Sequence, residues 1–109
     1  YQCPGCYEIP STVKQILKTD KTELRVVICL GLLIEGETYH FKYISESVAF
    51  ALSKIDFVIY GILNVKSEEQ AKKRSGLSPN SHNHGLDWGK TAVFQLNCLI
   101  DVENSKFLI

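Results

Sequence analysis

Residues 35–47 read EGETYHFKYISES and follow an unbroken apolar run at 26–34. In that stretch Gly36 permits close backbone approach, and Thr38 adds a hydroxyl donor. Amides around Glu37, Thr38, Tyr39 and His40 would point outward at the start of a following helix. An anion, most simply a phosphate, fits such a turn. His40, one turn further on, brings an imidazole, the side chain suited to proton transfer near neutrality. On spacing alone, G-x-T-x-H is also the pattern of an ordinary capped helix with a surface histidine.

Thiols and imidazoles offer a second chemistry. Cys3-x-x-Cys6 with His82 and His84 could supply a tetrahedral zinc site. Cys-x-x-Cys is half of that signal, whereas His-x-His is not the usual helical partner spacing. Pro4 and Gly5 also make a tight turn for reasons of their own. The structural reading is therefore favoured, and no metal is expected. A redox site is disfavoured too, because no strand-to-helix junction of thioredoxin type surrounds the two cysteines. Cys29 and Cys98 fall in apolar patterns and read as small buried hydrophobes, which suits a reducing, cytoplasmic setting.

These side chains need elements to hold them. The chain has 109 residues, 45% of them apolar, enough for the core of one domain spanning 1–109. Its 12 basic side chains balance 12 acidic ones, so no field favours nucleic acid or anionic lipid. The longest apolar run is too short to span a bilayer.

Val13, Ile16 and Leu17 follow helical spacing after a Ser11 or Thr12 cap, and 18–23 is a charged connector. The run at 25–34 predicts a strand covered on both faces. Ile44, Val48, Ala51, Leu52 and Ile55 predict an amphipathic helix over 43–55, and 57–63 a second buried strand. Ser67 and Gln70 predict a capped helix over 67–74 that stops at Gly76. Residues 77–85 are loop chemistry, and Trp88, Ala92, Gln95, Leu96 and Leu99 mark a last helix. This order implies parallel strands joined by helical crossovers.

Four separated stretches, PGCYEIP (4–10), GLLIEGETYHFKYISES (31–47), VIYGIL (58–63) and EEQAKKRSG followed by HNHGLDWG, resemble lumazine synthase. They occur in that family's order, and the long loop with HNHG and DWG is similar to the fungal type. The resemblance implies a three-layer α/β/α sandwich around a four-stranded parallel sheet, flavodoxin-like, with the first strand and helix preceding Tyr1. It implies condensation of 5-amino-6-ribitylamino-pyrimidinedione with 3,4-dihydroxy-2-butanone 4-phosphate to 6,7-dimethyl-8-ribityllumazine, in riboflavin biosynthesis. The resemblance further implies that no metal or organic cofactor takes part.

By the same resemblance, Gly36, Glu37, Thr38 and Tyr39 would cradle the phosphate, and His40 would be the acid/base. Arg74 would reach the phosphate from the neighbouring subunit. Cys6, Tyr7 and Glu8 match the ribityl-binding stretch, and Leu33 and Ile34 would offer backbone groups to the pyrimidinedione. Tyr60 and His84 match pocket walls supplied across the subunit interface. The implied assembly is a homopentamer rather than a sixty-subunit shell, because the loop before the last helix is long.

Three departures from the family pattern accompany the match. By that pattern the family's first strand and helix would precede Tyr1. The connection between LSKI and DFVIYG is about five residues shorter than the pattern. Glu35 and Glu37 flank the phosphate turn, where the family tends to carry a basic residue and a small one. The last departure motivates an alternative: a catalytically weak homologue that acts as a lumazine- or flavin-binding oligomer.

Overall fold

The apolar run forms strand β1, Val27–Ile34, in a computed structural model that describes residues 1–21 and 25–105. The second run forms β2, Val58–Val65, two residues longer at its end than the pattern predicts. The strands pair in parallel from Val27↔Val58 to Ile34↔Val65, and among the described residues they make a two-stranded sheet. Arg25 and Val26 precede β1 rather than join it. The Arg25 guanidinium instead donates to Leu17 O at 2.8 Å and to Asp20 O. These bonds satisfy carbonyls at the end of α1, Ile9–Thr19.

That helix absorbs the beginning of the expected connector at 18–23, whose Thr22 and Glu23 lie outside the described residues. Its cap also differs from expectation. Glu8 is the N-cap, and its carbonyl accepts from Ser11 Oγ at 3.1 Å and Thr12 Oγ1 at 2.9 Å. Both hydroxyls thus donate within the first turn instead of capping it, and Pro10 stands where a missing N–H costs nothing.

Helix α2, His40–Leu52, links the two strands. It begins three residues before the apolar period does and ends three residues earlier than predicted. The early end frees 53–57 to make the turn into β2, so the short connection closes. It does so with Phe57 in a left-handed conformation at φ 57°, an uncommon state for a bulky side chain. Phe57 O then accepts the Val27 amide at 3.0 Å, the first rung of the ladder.

Alternation along the strands defines two faces. Cys29 of β1 and Ile62 of β2 pack with Ile9 and Val13 of α1 and Val48 and Leu52 of α2. On the opposite face Gly61 lies under Trp88 of α4, His84–Ser105, and Ile59 and Val65 are buried there. Between them in the chain, α3, Glu68–Arg74, carries its expected cap: Ser67 Oγ accepts the Gln70 amide at 3.1 Å. Gln70 Oε1 reaches back to the amide of Lys66, one residue earlier than the usual box.

The expectation that β1 is covered on both faces is not met among the described residues. Ile28, Leu30, Leu32 and Ile34 lie on the α4 face, yet Leu30 is 65% exposed. The helices on that face shield β2, whose Val65 is 1% exposed, and leave its neighbour open. An apolar run reports that a strand wants cover, not what covers it.

Gly61 shows how tightly the covered half is packed. A Cβ there would stand 2.8 Å from Cys29 O, 2.9 Å from the Leu30 side chain and 3.1 Å from Trp88. Gly61→Ala should therefore destabilise the protein by about 2 kcal/mol through overpacking. Gly89→Ala, where a Cβ would meet nothing within 4 Å, should change little. Urea unfolding of both variants measures the difference.

Candidate active site

At the carboxyl end of β1 the Glu35 amide donates to Val65 O at 2.8 Å, the last rung of the ladder. The chain then leaves the sheet through 36–39 and enters α2 at His40. Thr38 Oγ1 accepts the His40 amide at 3.3 Å, and the hydroxyl proton remains available to an outside acceptor. Tyr39, the N-cap, contributes no side-chain cap. The amides of Gly36, Glu37, Thr38 and Tyr39 have no acceptor among the described residues, and all four residues are exposed.

No acidic residue sits in the first turn of α2, so the positive end of its dipole is uncompensated there. Such a turn can take an anion. The acceptor-free amides thus lie at 36–39, one residue earlier than the expected 37–40, while the His40 amide donates to Thr38 Oγ1. Gly36 has neither positive φ nor any atom within 4 Å of an added Cβ. Neither backbone strain nor protein crowding calls for glycine; what it leaves open is the surface above the turn.

The His40 side chain is exposed and has no hydrogen-bond or ion-pair partner among the described residues. Glu35 and Glu37 are exposed on either side of Gly36, and neither makes an ion pair among the described residues. Glu35 lines a groove of about 700 Å³ with Phe41, Ala49, Tyr60 and Lys66. In that groove Tyr60 Oη accepts from Asn64 Nδ2 at 2.7 Å, while its ring packs against the core. Asn64 is a polar partner that strand patterning did not single out.

Cys6, Tyr7 and Glu8 form one 3-10 turn, Cys6–Glu8, seated beside β1. The Cys6 thiol donates to Leu32 O at 3.7 Å, and burial raises its pKa. Gly31 makes that seat possible, because a Cβ there would lie 2.6 Å from Cys6 Sγ. Tyr7 is exposed, and Glu8 borders a recess of about 350 Å³ between α1 and α2, with Lys14 on its rim. Leu33 packs against the core, while Ile34 is 41% exposed. Both are paired in the ladder, to Asn64 and Val65.

Arg74 and His84 occupy a different place. They line a cavity of about 420 Å³ between α3 and the following loop, with Lys73 and His82. The antiparallel bridge Ser75↔Asn83 holds the loop over α3, and Gly76 turns between them at φ 74°. His84 is not in the loop, as expected, but is the first residue of α4. Arg74 is exposed and has no ion-pair or hydrogen-bond partner among the described residues.

Within one chain the expected site residues thus fall into separate groups. The 36–40 turn, Leu33, Ile34 and the Cys6–Glu8 turn adjoin β1, Tyr60 lines the groove, and Arg74 and His84 share the cavity. Cys3 and Cys6 do not meet His82 and His84. No group of three His, Cys, Asp or Glu side chains among the described residues could hold a metal ion. Cys29 is buried, which pushes its thiol up to about 11. No helix among the described residues is long and apolar enough to cross a membrane.

Comparison with known proteins gives this geometry a setting. The family model for 6,7-dimethyl-8-ribityllumazine synthase matches residues 1–99. A 6,7-dimethyl-8-ribityllumazine synthase of Pyricularia oryzae is 47% identical over 72 residues, covering 62% of this chain and 36% of that protein. The Schizosaccharomyces pombe protein of the same name is 42% identical over 95 residues, covering 83% of this chain and 58% of its own length. A Coxiella burnetii protein of that name is 32% identical over 105 residues, covering 92% of this chain and 67% of the relative. The chain thus spans between 36% and 67% of the length of these relatives. The model match over nearly the whole chain and these identities carry one conclusion: the chain belongs to the 6,7-dimethyl-8-ribityllumazine synthase family.

Proposed function

We propose that this chain is the greater part of a single lumazine synthase domain. Its reaction joins 5-amino-6-ribitylamino-pyrimidinedione to 3,4-dihydroxy-2-butanone 4-phosphate, giving 6,7-dimethyl-8-ribityllumazine, phosphate and water. The observation that carries the reading is the run of acceptor-free amides at 36–39 beside the unpartnered imidazole of His40.

In this reading those amides and the Thr38 hydroxyl hold the phosphate as substrate and as leaving group. His40 moves protons during imine formation, phosphate loss and ring closure. Glu8 accepts from ribityl hydroxyls, with Cys6 and Tyr7 beside it, and the backbone at Leu33 and Ile34 meets the pyrimidinedione edge. No residue forms a covalent intermediate, and no metal or organic cofactor is used. The rate gain comes from register between two substrates and from charge stabilisation at the departing phosphate.

The remaining contacts, Tyr60, Arg74 and His84, come from an adjacent subunit of a cytoplasmic homopentamer whose full sheet has four parallel strands. Two observations support an assembly. The groups that must meet are apart within one chain, and large apolar side chains such as Leu30 at 65% and Phe50 at 67% stand exposed.

Mixing both substrates with the protein and following product absorbance tests the reading: turnover should exceed the spontaneous rate. Tight lumazine binding with no acceleration would favour the binding-oligomer alternative, which the unpaired Glu35 and Glu37 motivate. Neither turnover nor binding would contradict both. Gly36→Ala separates site from fold. Stability should stay within about 0.5 kcal/mol, because nothing lies within 4 Å of the new methyl. The Michaelis constant for the phosphate substrate should rise.

A further inference from the structure

His82 has no role in the reading above, yet it is held in place. Its Nε2 lies 2.7 Å from Asp87 Oδ2, across the corner where the loop enters α4. The His84 ring stands edge-on to it, centroids 5.3 Å apart, and His84 Nδ1 is 3.9 Å from the same carboxylate oxygen. Both imidazoles line the Arg74 cavity with Lys73 and Arg74, whereas Asp87 is not among the lining residues. The cavity therefore meets two imidazoles, an ammonium and a guanidinium, and no carboxylate.

We propose that His82 is an anion-binding side chain of the Arg74 cavity, and that Asp87 is the positioning residue that orients its imidazole. The inference rests on the proposed reading in one respect, that the anion is the substrate's phosphate group. Hydrogen-bond inventory supplies the mechanism. A neutral imidazole that donates from Nε2 to a carboxylate presents a lone pair at Nδ1, which repels an anion. The imidazolium donates from both nitrogens, one to Asp87 and one outward. Among the described residues Nδ1 of His82 has no partner.

Only the imidazolium can donate to Asp87 and to an anion in the cavity at once, so anion affinity rises as pH falls. The hydrogen bond from His82 holds the Asp87 carboxyl below its ordinary range, with the charges of His82, His84 and Lys90 adding to the effect. From α3 the facing groups are Lys73 and Arg74. Lys73 Nζ lies 3.2 Å from Glu69 Oε1 and is partly compensated, whereas Arg74 is not. The loop side, Pro79, Asn80 and Ser81, carries no charge.

Inorganic sulfate, a dianion throughout the range in which histidine changes charge, is the probe for the first arm, with histidine ring resonances as readout. In the parent protein sulfate should shift the His82 signals, and its affinity should rise on acidification. His82→Gln should lower affinity about threefold at the acid end, the scale of one exposed charge contact, and flatten the pH profile. Asp87→Asn should shrink the gain in affinity on acidification, because the ring is no longer held in place, and Asp87→Glu should restore it. A purely structural role for either residue would lower affinity equally at every pH.

The second arm measures the Michaelis constants of the two substrates over the same pH range. The His82→Gln effect should fall on the phosphate substrate alone. Sulfate binding that leaves the His82 signals and the pH profile unchanged overturns this inference, even if turnover is normal. Absent turnover with the sulfate arm as expected overturns the synthase reading and leaves a general anion site. A sulfate response without any effect on the phosphate substrate assigns the cavity to free phosphate and overturns the link to substrate.

Discussion

Arg74→Ala should lower kcat/KM for the butanone phosphate by about 10²-fold, the scale of losing a charge-assisted contact to phosphate of roughly 2–3 kcal/mol. The change should reside mainly in that substrate's Michaelis constant and leave the constant for the pyrimidine nearly unmoved. A guanidinium offers a planar, permanently charged fork that meets two phosphate oxygens at once, so Arg74→Lys should recover only part of the loss. Stability should be unchanged, because Arg74 is exposed and holds no partner in its own chain among the described residues. Steady-state kinetics with each substrate varied in turn checks this. Equal effects on both constants would mean that Arg74 shapes the pocket without touching phosphate.

His40→Gln should reduce kcat by about 10²-fold while binding both substrates almost normally. Glutamine keeps the length and a hydrogen-bonding end but cannot exchange protons near neutrality. The fold has little stake in the ring, since the residue's structural bond runs from its backbone amide to Thr38 Oγ1. The pH profile of kcat should lose one limb in the variant. An unchanged kcat would leave the imidazole as a bystander and assign catalysis to positioning alone.

Much of this framework was readable from pattern. The two apolar runs are the two strands, and Ser67 with Gln70 caps α3 as its spacing implies. What escaped the pattern did so for physical reasons. The start of α2 was misplaced because His40, Phe41 and Lys42 precede the apolar period and Tyr39 carries no side-chain cap. Ser11 and Thr12 resemble caps, but hydroxyls donate as readily as they accept, and here both donate to Glu8 O.

Exposure of β1 escaped for a different reason, since a run of apolar residues looks the same whether or not a helix lies above it. At the candidate site, the residue types at 36–40 suggest a turn with free amides, and acceptor-free amides lie at 36–39. The His82–Asp87 pair could not be read ahead, because a separation of five residues matches neither helix nor strand spacing. Only the corner between loop and α4 brings the two together.

The central claim is that amides at the carboxyl end of β1 hold the phosphate while His40 works beside it. A crystal structure of the assembled protein with the butanone phosphate, or with phosphate and the lumazine product, tests it most directly. The account predicts phosphate oxygens within hydrogen-bond reach of the 36–39 amides, Arg74 of a neighbouring subunit on the same group, and the His40 ring facing the substrate carbon. A phosphate seated away from 36–39, or an imidazole turned to bulk solvent, would contradict it.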